Sequence, residues 1–128
     1  MRLLLDSHAF LWLATADERL SPAVRELVED ARTHVHVSVA TTWELTLKVL
    51  AGRLRLPAPP AEHFAEHIAE FGYQLLPIHQ RHVDALAELP PVHDDPFDRM
   101  LVAQALVEDL DLVSGDARLH RYPVRTVW

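Results

Sequence analysis

Short apolar runs and amphipathic stretches take turns along the whole chain. Residues 2–5 (RLLL) form a continuous apolar run of strand length, as expected of a strand buried on both faces. From Asp6 to about Ala14 the pattern predicts a helix. Ser21-Pro22 opens another, with serine as cap and proline in the first turn, running to about Ala31. HVHVSV (34–39) alternates with period two and predicts a strand. Thr41 opens a helix with Leu47 and Leu50 on its buried side, and Gly52 stops it. LPAPP (56–60) connects to a helix over 61–71, a strand over 74–77 and a short helix from His79 to Leu86. PPVHDD (90–95) is a loop, and Pro96 starts a long helix to about Glu108. LDLVS (110–114) predicts a strand, Asp116 begins a short helix, and VRTVW (124–128) predicts a last strand. Strands that alternate with helical segments imply an α/β domain with a mostly parallel central sheet and helices on both faces.

At 128 residues and 49% hydrophobic, the chain suits one domain over 1–128 with its own core, and it is too apolar for disorder. It has no cysteine, which excludes disulfides, thiolate zinc sites and cysteine nucleophiles together. The apolar start is interrupted by Asp6 and His8 and no small-residue cleavage site follows, so it is read as strand and helix, not as a signal peptide. No other stretch is long enough to span a bilayer, and the expectation is a soluble, cytoplasmic protein without a membrane partner. The net charge of −7, with Lys48 the only lysine, is the wrong sign for gripping nucleic acid by bulk electrostatics. Phosphates can still bind locally where a cation neutralises part of that charge.

Where the acids fall changes the picture. In an open α/β sheet, ligands bind beyond the carboxyl ends of the strands. Asp6 follows the first strand, Glu44 sits in the first turn of the helix after the second, Asp95 and Asp98 open the long helix, and Asp116 follows LDLVS. Each has a structural explanation: Asp6 and Asp116 as N-caps, Thr41-x-x-Glu44 as a capping box, Asp95 as the cap before Pro96, and Asp98 as a first-turn acid favoured by the helix dipole. Together that explanation weakens, because Ser, Thr or Asn caps equally well and every junction carries an acid. Carboxylates brought together repel one another, and a divalent cation relieves the repulsion. Several carboxylates with water suit Mg²⁺ or Mn²⁺. Asp95 then caps while Asp98 faces the cleft as a ligand, or the reverse, with Asp94 left in solvent. Such a site polarises a phosphoryl oxygen and activates water, which suits phosphodiester hydrolysis without a nucleophilic side chain.

Asp6 after the first strand, WELTLKVLAGRL (43–54), HDDPFDRMLVAQA (93–105) and VSGD (113–116) resemble the PIN-domain ribonucleases, in particular the VapC-type toxins of bacterial toxin–antitoxin pairs. The resemblance covers almost the whole chain in the same order of elements. It implies a three-layer α/β/α sandwich and a Mg²⁺-dependent endoribonuclease whose acidic set maps onto Asp6, Glu44, Asp98 and Asp116. Ser114 fits the hydroxyl often found two residues before the last acid, and Asp95 falls in the same motif with its role as cap or ligand open. It also implies an RNA substrate, a homodimer, and a cognate antitoxin that places a helical segment and a basic side chain near the acids.

Other residues carry weaker signals. His63 and His67 share a helix face, but HFAEH lacks the glutamate of a zincin, and unpaired histidines such as His34 and His36 are ordinary. His93 near the acids either orients a carboxylate or contacts substrate, or it packs the loop. Arg99 meets a carboxylate or a phosphate, or makes a surface ion pair. Lys48 forms an i,i+4 pair with Glu44 or reaches a phosphate. Arg53 and Arg55 are RNA contacts or solubilising charges. Leu11, Trp12 and Leu13 make the first helix apolar on more than one face, which suggests a dimer or antitoxin surface. Two other classes compete with a nuclease. A receiver-type phospho-acceptor needs a late lysine, and none follows Lys48. A non-catalytic interaction module predicts no stabilisation by Mg²⁺ or Mn²⁺.

Overall fold

The apolar run near the start forms β1 (Arg2–Leu5), whose three leucines are fully buried because the strand lies at the middle of the sheet. Leu3 and Leu5 point into one core with Phe10, Val24, Val37 and Phe64, and Leu4 points into the other with Leu101, Val102, Leu112 and Leu119. That is the period-two alternation of a strand covered on both faces.

The computed structural model describes residues 1–128. After β1 come α1 (Ser7–Thr15), α2 (Pro22–Glu29), β2 (His34–Ser38), α3 (Val39–Leu50), α4 (Pro60–Phe71), β3 (Gln74–Leu76) and α5 (Gln80–Leu86). Then follow α6 (Pro96–Glu108), β4 (Asp111–Val113), a single 3-10 turn at Leu119–Arg121, and β5 (Thr126–Val127). The strands are ordered β3-β2-β1-β4-β5 and every pairing is parallel. Helices on both faces complete a three-layer α/β/α sandwich. α1, α2 and α4 cover the face of Leu3 and Leu5, and α6 covers the face of Leu4. No helix is long and apolar enough to cross a membrane.

Three expectations are corrected. β2 runs straight into α3, so the helix starts at Val39 and not Thr41, with the Ser38 hydroxyl accepting from Ala40 N at 3.0 Å as its cap. Thr41 and Glu44 therefore form no capping box, and Glu44 sits in the second turn. The buried side of α3 carries Ala40, Thr41, Glu44 and Leu45, while Leu47 and Leu50 are 43% and 77% exposed. Asp116 opens no helix. Its Oδ1 accepts from Arg118 N at 2.9 Å in a local turn, and the 3-10 turn follows. Gly52 does end α3 in the expected way, at a φ of 72° that favours glycine.

Candidate active site

β1 and β4 pair side by side, with Leu5 opposite Val113, and the chain goes to β2 and β3 on one side before returning to β4 on the other. The crevice beyond their carboxyl ends is thus the point where strand order reverses, the usual ligand site of such sheets. Asp6 lies there because it directly follows β1, and Ser114 and Asp116 lie there because they follow β4.

Asp6 is buried and does two things at once. Its Oδ1 caps α1 by accepting from Ala9 N at 2.8 Å, and its carboxylate lines the crevice. Burial raises its pKa above the usual carboxylate range, the Ala9 N–H and the Ser114 hydroxyl pull it down, and the charge of Asp116 raises it again. Glu44 reaches the crevice from α3. Ser7 Oγ donates to its Oε1, and Lys48 Nζ lies 3.8 Å from its Oε2.

The motif at the start of α6 divides its labour. Asp95 is the cap, its Oδ1 accepting from Phe97 N at 2.8 Å and Asp98 N at 3.0 Å. The Asp98 side chain makes no such bond and turns to the crevice. Burial first, then the charges of Asp95, Glu44, Asp6 and Asp116, push it up to about 7. Those neighbours show that the four junctions converge, although their sequence positions span more than a hundred residues. Asp116 goes the other way. Arg118 grips it with two of its guanidinium nitrogens, Nε donating to Oδ1 at 3.2 Å and Nη2 to Oδ2 at 3.0 Å, and lowers its pKa. The result is a cleft of about 180 Å³ with no apolar lining, holding five carboxylates against Lys48 and Arg118.

His93 stands between two of the acids. Its buried Nε2 lies 3.2 Å from Asp98 Oδ2 and 3.4 Å from Asp116 Oδ2 without a directed hydrogen bond to either. Its Nδ1 accepts from Asp95 N at 3.0 Å, so a neutral ring carries its proton on Nε2 and offers it to the carboxylates. Side-chain atoms of His93, Asp98 and Asp116 lie within 4.8 Å of one another, and Asp6 and Glu44 line the same cleft outside that group. The excess of carboxylates over cationic groups in the cleft fits a hard divalent cation, which Asp6, Glu44, Asp98 and Asp116 would hold through oxygen atoms. Asp95, committed to its cap, fits less well.

Arg99 is elsewhere. Its guanidinium donates to Pro90 O at 3.0 Å, Tyr122 Oη at 3.1 Å and Leu86 O at 3.4 Å, because its helical position turns it toward the loop before α6. It neither meets a carboxylate nor makes a surface ion pair. Tyr122 Oη in turn accepts from His93 N at 3.0 Å, so Arg99 braces the loop that carries His93. Ser114 Oγ accepts from Asp116 N at 3.1 Å and shapes that turn. Leu11 and Trp12 pack partly against the core, and the larger exposed apolar surface is Trp43, Leu47 and Leu50 on α3. Ser7, Arg118 and Tyr122 escaped the sequence reading. Ser7, next to Asp6 on a first helical turn, was the one with a usable local signal.

This fold and this cleft define a class. The PIN domain pattern matches residues 3–124, and the chain belongs to the PIN-domain family. Within it the similarity runs to the VapC branch: the chain is 33% identical over 131 residues to Ribonuclease VapC22 of Mycobacterium tuberculosis, covering 98% of this chain and 97% of that one. Among solved structures it is similar to VapBC2 from Rickettsia felis bound to a promoter DNA fragment, with a TM-score of 0.76, 12% identity, and coverage of 100% of this chain and 99% of that chain. It is also similar to FitAcB from Neisseria gonorrhoeae, with a TM-score of 0.64, 18% identity, and coverage of 98% and 96%.

Proposed function

We propose that this protein is the ribonuclease toxin of a toxin–antitoxin pair, a metal-dependent endoribonuclease that hydrolyses RNA phosphodiester bonds at the cleft of Asp6, Glu44, Asp98 and Asp116. The observation that carries the reading is geometric: Asp6, Glu44, Asp95, Asp98 and Asp116 converge on one cleft without apolar lining. Carboxylates crowded in this way repel one another, and a bound divalent cation relieves the repulsion. When bound, Mg²⁺ or Mn²⁺ supplies charge neutralisation and Lewis acidity toward the phosphodiester. The chain's own groups do the rest. Asp6, Glu44, Asp98 and Asp116 would hold the cation, Ser7 and Lys48 fix Glu44, and His93 and Ser114 position Asp98 and Asp116. Lys48 and Arg118, at the rim, receive RNA phosphates. Water adds to phosphorus as one P–O bond breaks, leaving a phosphate end and a hydroxyl end.

The protein partner is an antitoxin, docked on the apolar face of α3 beside the cleft. There Trp43 is 55% exposed and stands edge-on to Phe97 at 4.9 Å. The assembly is a homodimer. The test is cleavage of a pool of structured RNAs with Mn²⁺, Mg²⁺ or EDTA, beside Asp98→Asn. Metal-dependent cleavage lost in the variant is expected. No cleavage under any metal, with melting unmoved by Mn²⁺, would return the protein to the class of interaction modules.

A further inference from the structure

A second groove, of about 430 Å³, opens beside the acidic cleft and shares Asp6, His8 and Asp116 with it. Its volume lies in the range of small-ligand sites, about 300–1,000 Å³. Its two apolar lining residues are both tryptophans, and the others are charged or polar except for Gly115. Trp12 and Trp128 sit 5.9 Å apart at 60°, His8 lies 5.2 Å from Trp12, and the Arg19 guanidinium rests 4.7 Å from the Trp12 ring centre. Trp128 as a residue remains 37% exposed.

Gly115 explains how the indole comes to lie there. A Cβ at this position would sit 2.8 Å from Trp128 Cε2, too close for any side chain. The absent side chain lets Trp128 pack flat on the backbone between Ser114 and Asp116. The aromatic surface is thereby pinned to the strand end that carries an acid of the cleft.

We infer that this groove is a stacking subsite for an unpaired nucleobase of RNA, with Trp128 as its platform. The inference rests on the nuclease reading and adds where the nucleotide next to the reacting phosphate is held. The alternative is a protein segment. The groove opens onto the acidic cleft, where a reacting phosphate would lie, whereas α3 offers a protein the larger exposed apolar face of Trp43, Leu47 and Leu50. A flat ring flanked by Trp128, His8 and Arg19 suits a base, and stacking tolerates any base identity. It also gives an acidic protein affinity for RNA that does not depend on phosphate contacts.

The test separates binding from cleavage. Fluorescence anisotropy of a dye-labelled short unstructured RNA is titrated with protein in EDTA, and KM and kcat are measured with Mn²⁺. Trp128→Ala is expected to weaken binding by about five- to a hundredfold, the usual worth of one stacked base. The loss should appear in KM with kcat little changed, and Trp128→Phe should restore most of it. Gly115→Ala, which displaces the indole without removing it, should weaken binding in the same direction. An abasic nucleotide at one position of the RNA should reproduce the loss in the wild type and add nothing in Trp128→Ala. RNA affinity equal in wild type and Trp128→Ala overturns the inference, as does RNA that fails to bind the wild type. Unchanged RNA affinity with a dissociated dimer or a released protein partner also overturns it, and reassigns the groove to a protein contact. Binding lost in Trp128→Ala while even the wild type cleaves nothing with Mn²⁺ would keep the subsite and fault the nuclease reading alone.

Discussion

Replacing Asp98 with asparagine should stabilise the metal-free protein. The carboxyl of Asp98 is raised from 3.8 to about 7, chiefly by burial and then by Asp95, Glu44, Asp6 and Asp116. The unfolded chain gives up this proton near 3.8, so between there and about 7 the folded state holds a proton that the unfolded state lacks. Stability from this group therefore falls as pH rises through that window, and the full penalty is present above about 7. Three units at 1.36 kcal/mol each set an upper figure of about 4 kcal/mol. The side chain is 21% exposed, and solvent screening reduces that to about 2 kcal/mol. Asparagine keeps the shape and loses the charge, along with about 0.3–1 kcal/mol of favourable dipole interaction in the first turn of α6. The net gain is about 1–2 kcal/mol, or about 3–8 °C in Tm for a domain of this size. Calorimetry in EDTA at pH 5 and pH 8 reads it. The difference between variant and wild type should widen from pH 5 to pH 8. Millimolar Mn²⁺ should raise the wild-type Tm and leave Asp98→Asn behind. A variant that melts at or below the wild type at pH 8 in EDTA would refute the argument that Asp98 is held against its own charge.

The same helix start offers a second comparison. Asp95→Asn keeps an oxygen for Phe97 N and Asp98 N and should leave stability nearly unchanged, whereas Asp95→Ala should cost about 1 kcal/mol, read by urea unfolding. Equal stability of the two would remove Asp95 from the cap. Arg99→Ala frees two carbonyls and Tyr122 Oη and should lower stability by about 1–2 kcal/mol, with metal-linked stabilisation retained. An unchanged Tm with a raised KM for RNA would instead restore Arg99 as a phosphate contact.

The gap between expectation and structure follows the range of the forces involved. RLLL, HVHVSV and the long run after Pro96 were legible because burial on one or two faces leaves a period in the chain. The cap at Asp95 was legible because it acts within three residues. α3 departs from expectation at its start and on its buried face. The strand expected over 34–39 ends at Ser38, which is at once the last residue of β2 and the cap of the helix, so Val39 is already helical. Leu47 and Leu50 lie outside although the pattern puts them on the buried side, because a helix of mixed polarity does not say which stripe its neighbours will cover. Arg99 follows Asp98 in sequence yet turns away from it, because adjacent helix positions point about a hundred degrees apart.

By itself the sequence determined the order of elements, the parallel sheet they imply, and an acid at each junction, since these depend on periodicity and on contacts a few residues long. Only the tertiary structure decided what the acids do. Asp6, Glu44, Asp98 and Asp116 meet because β1 and β4 pair at the centre of the sheet, and pairing is a contact between segments a hundred residues apart. Convergence in one crevice is what pushes Asp98 up and sets His93 between two carboxylates, and Trp128 lies on Gly115 beside them. No local pattern encodes those distances, because they are set by how the helices pack on the two faces of one sheet.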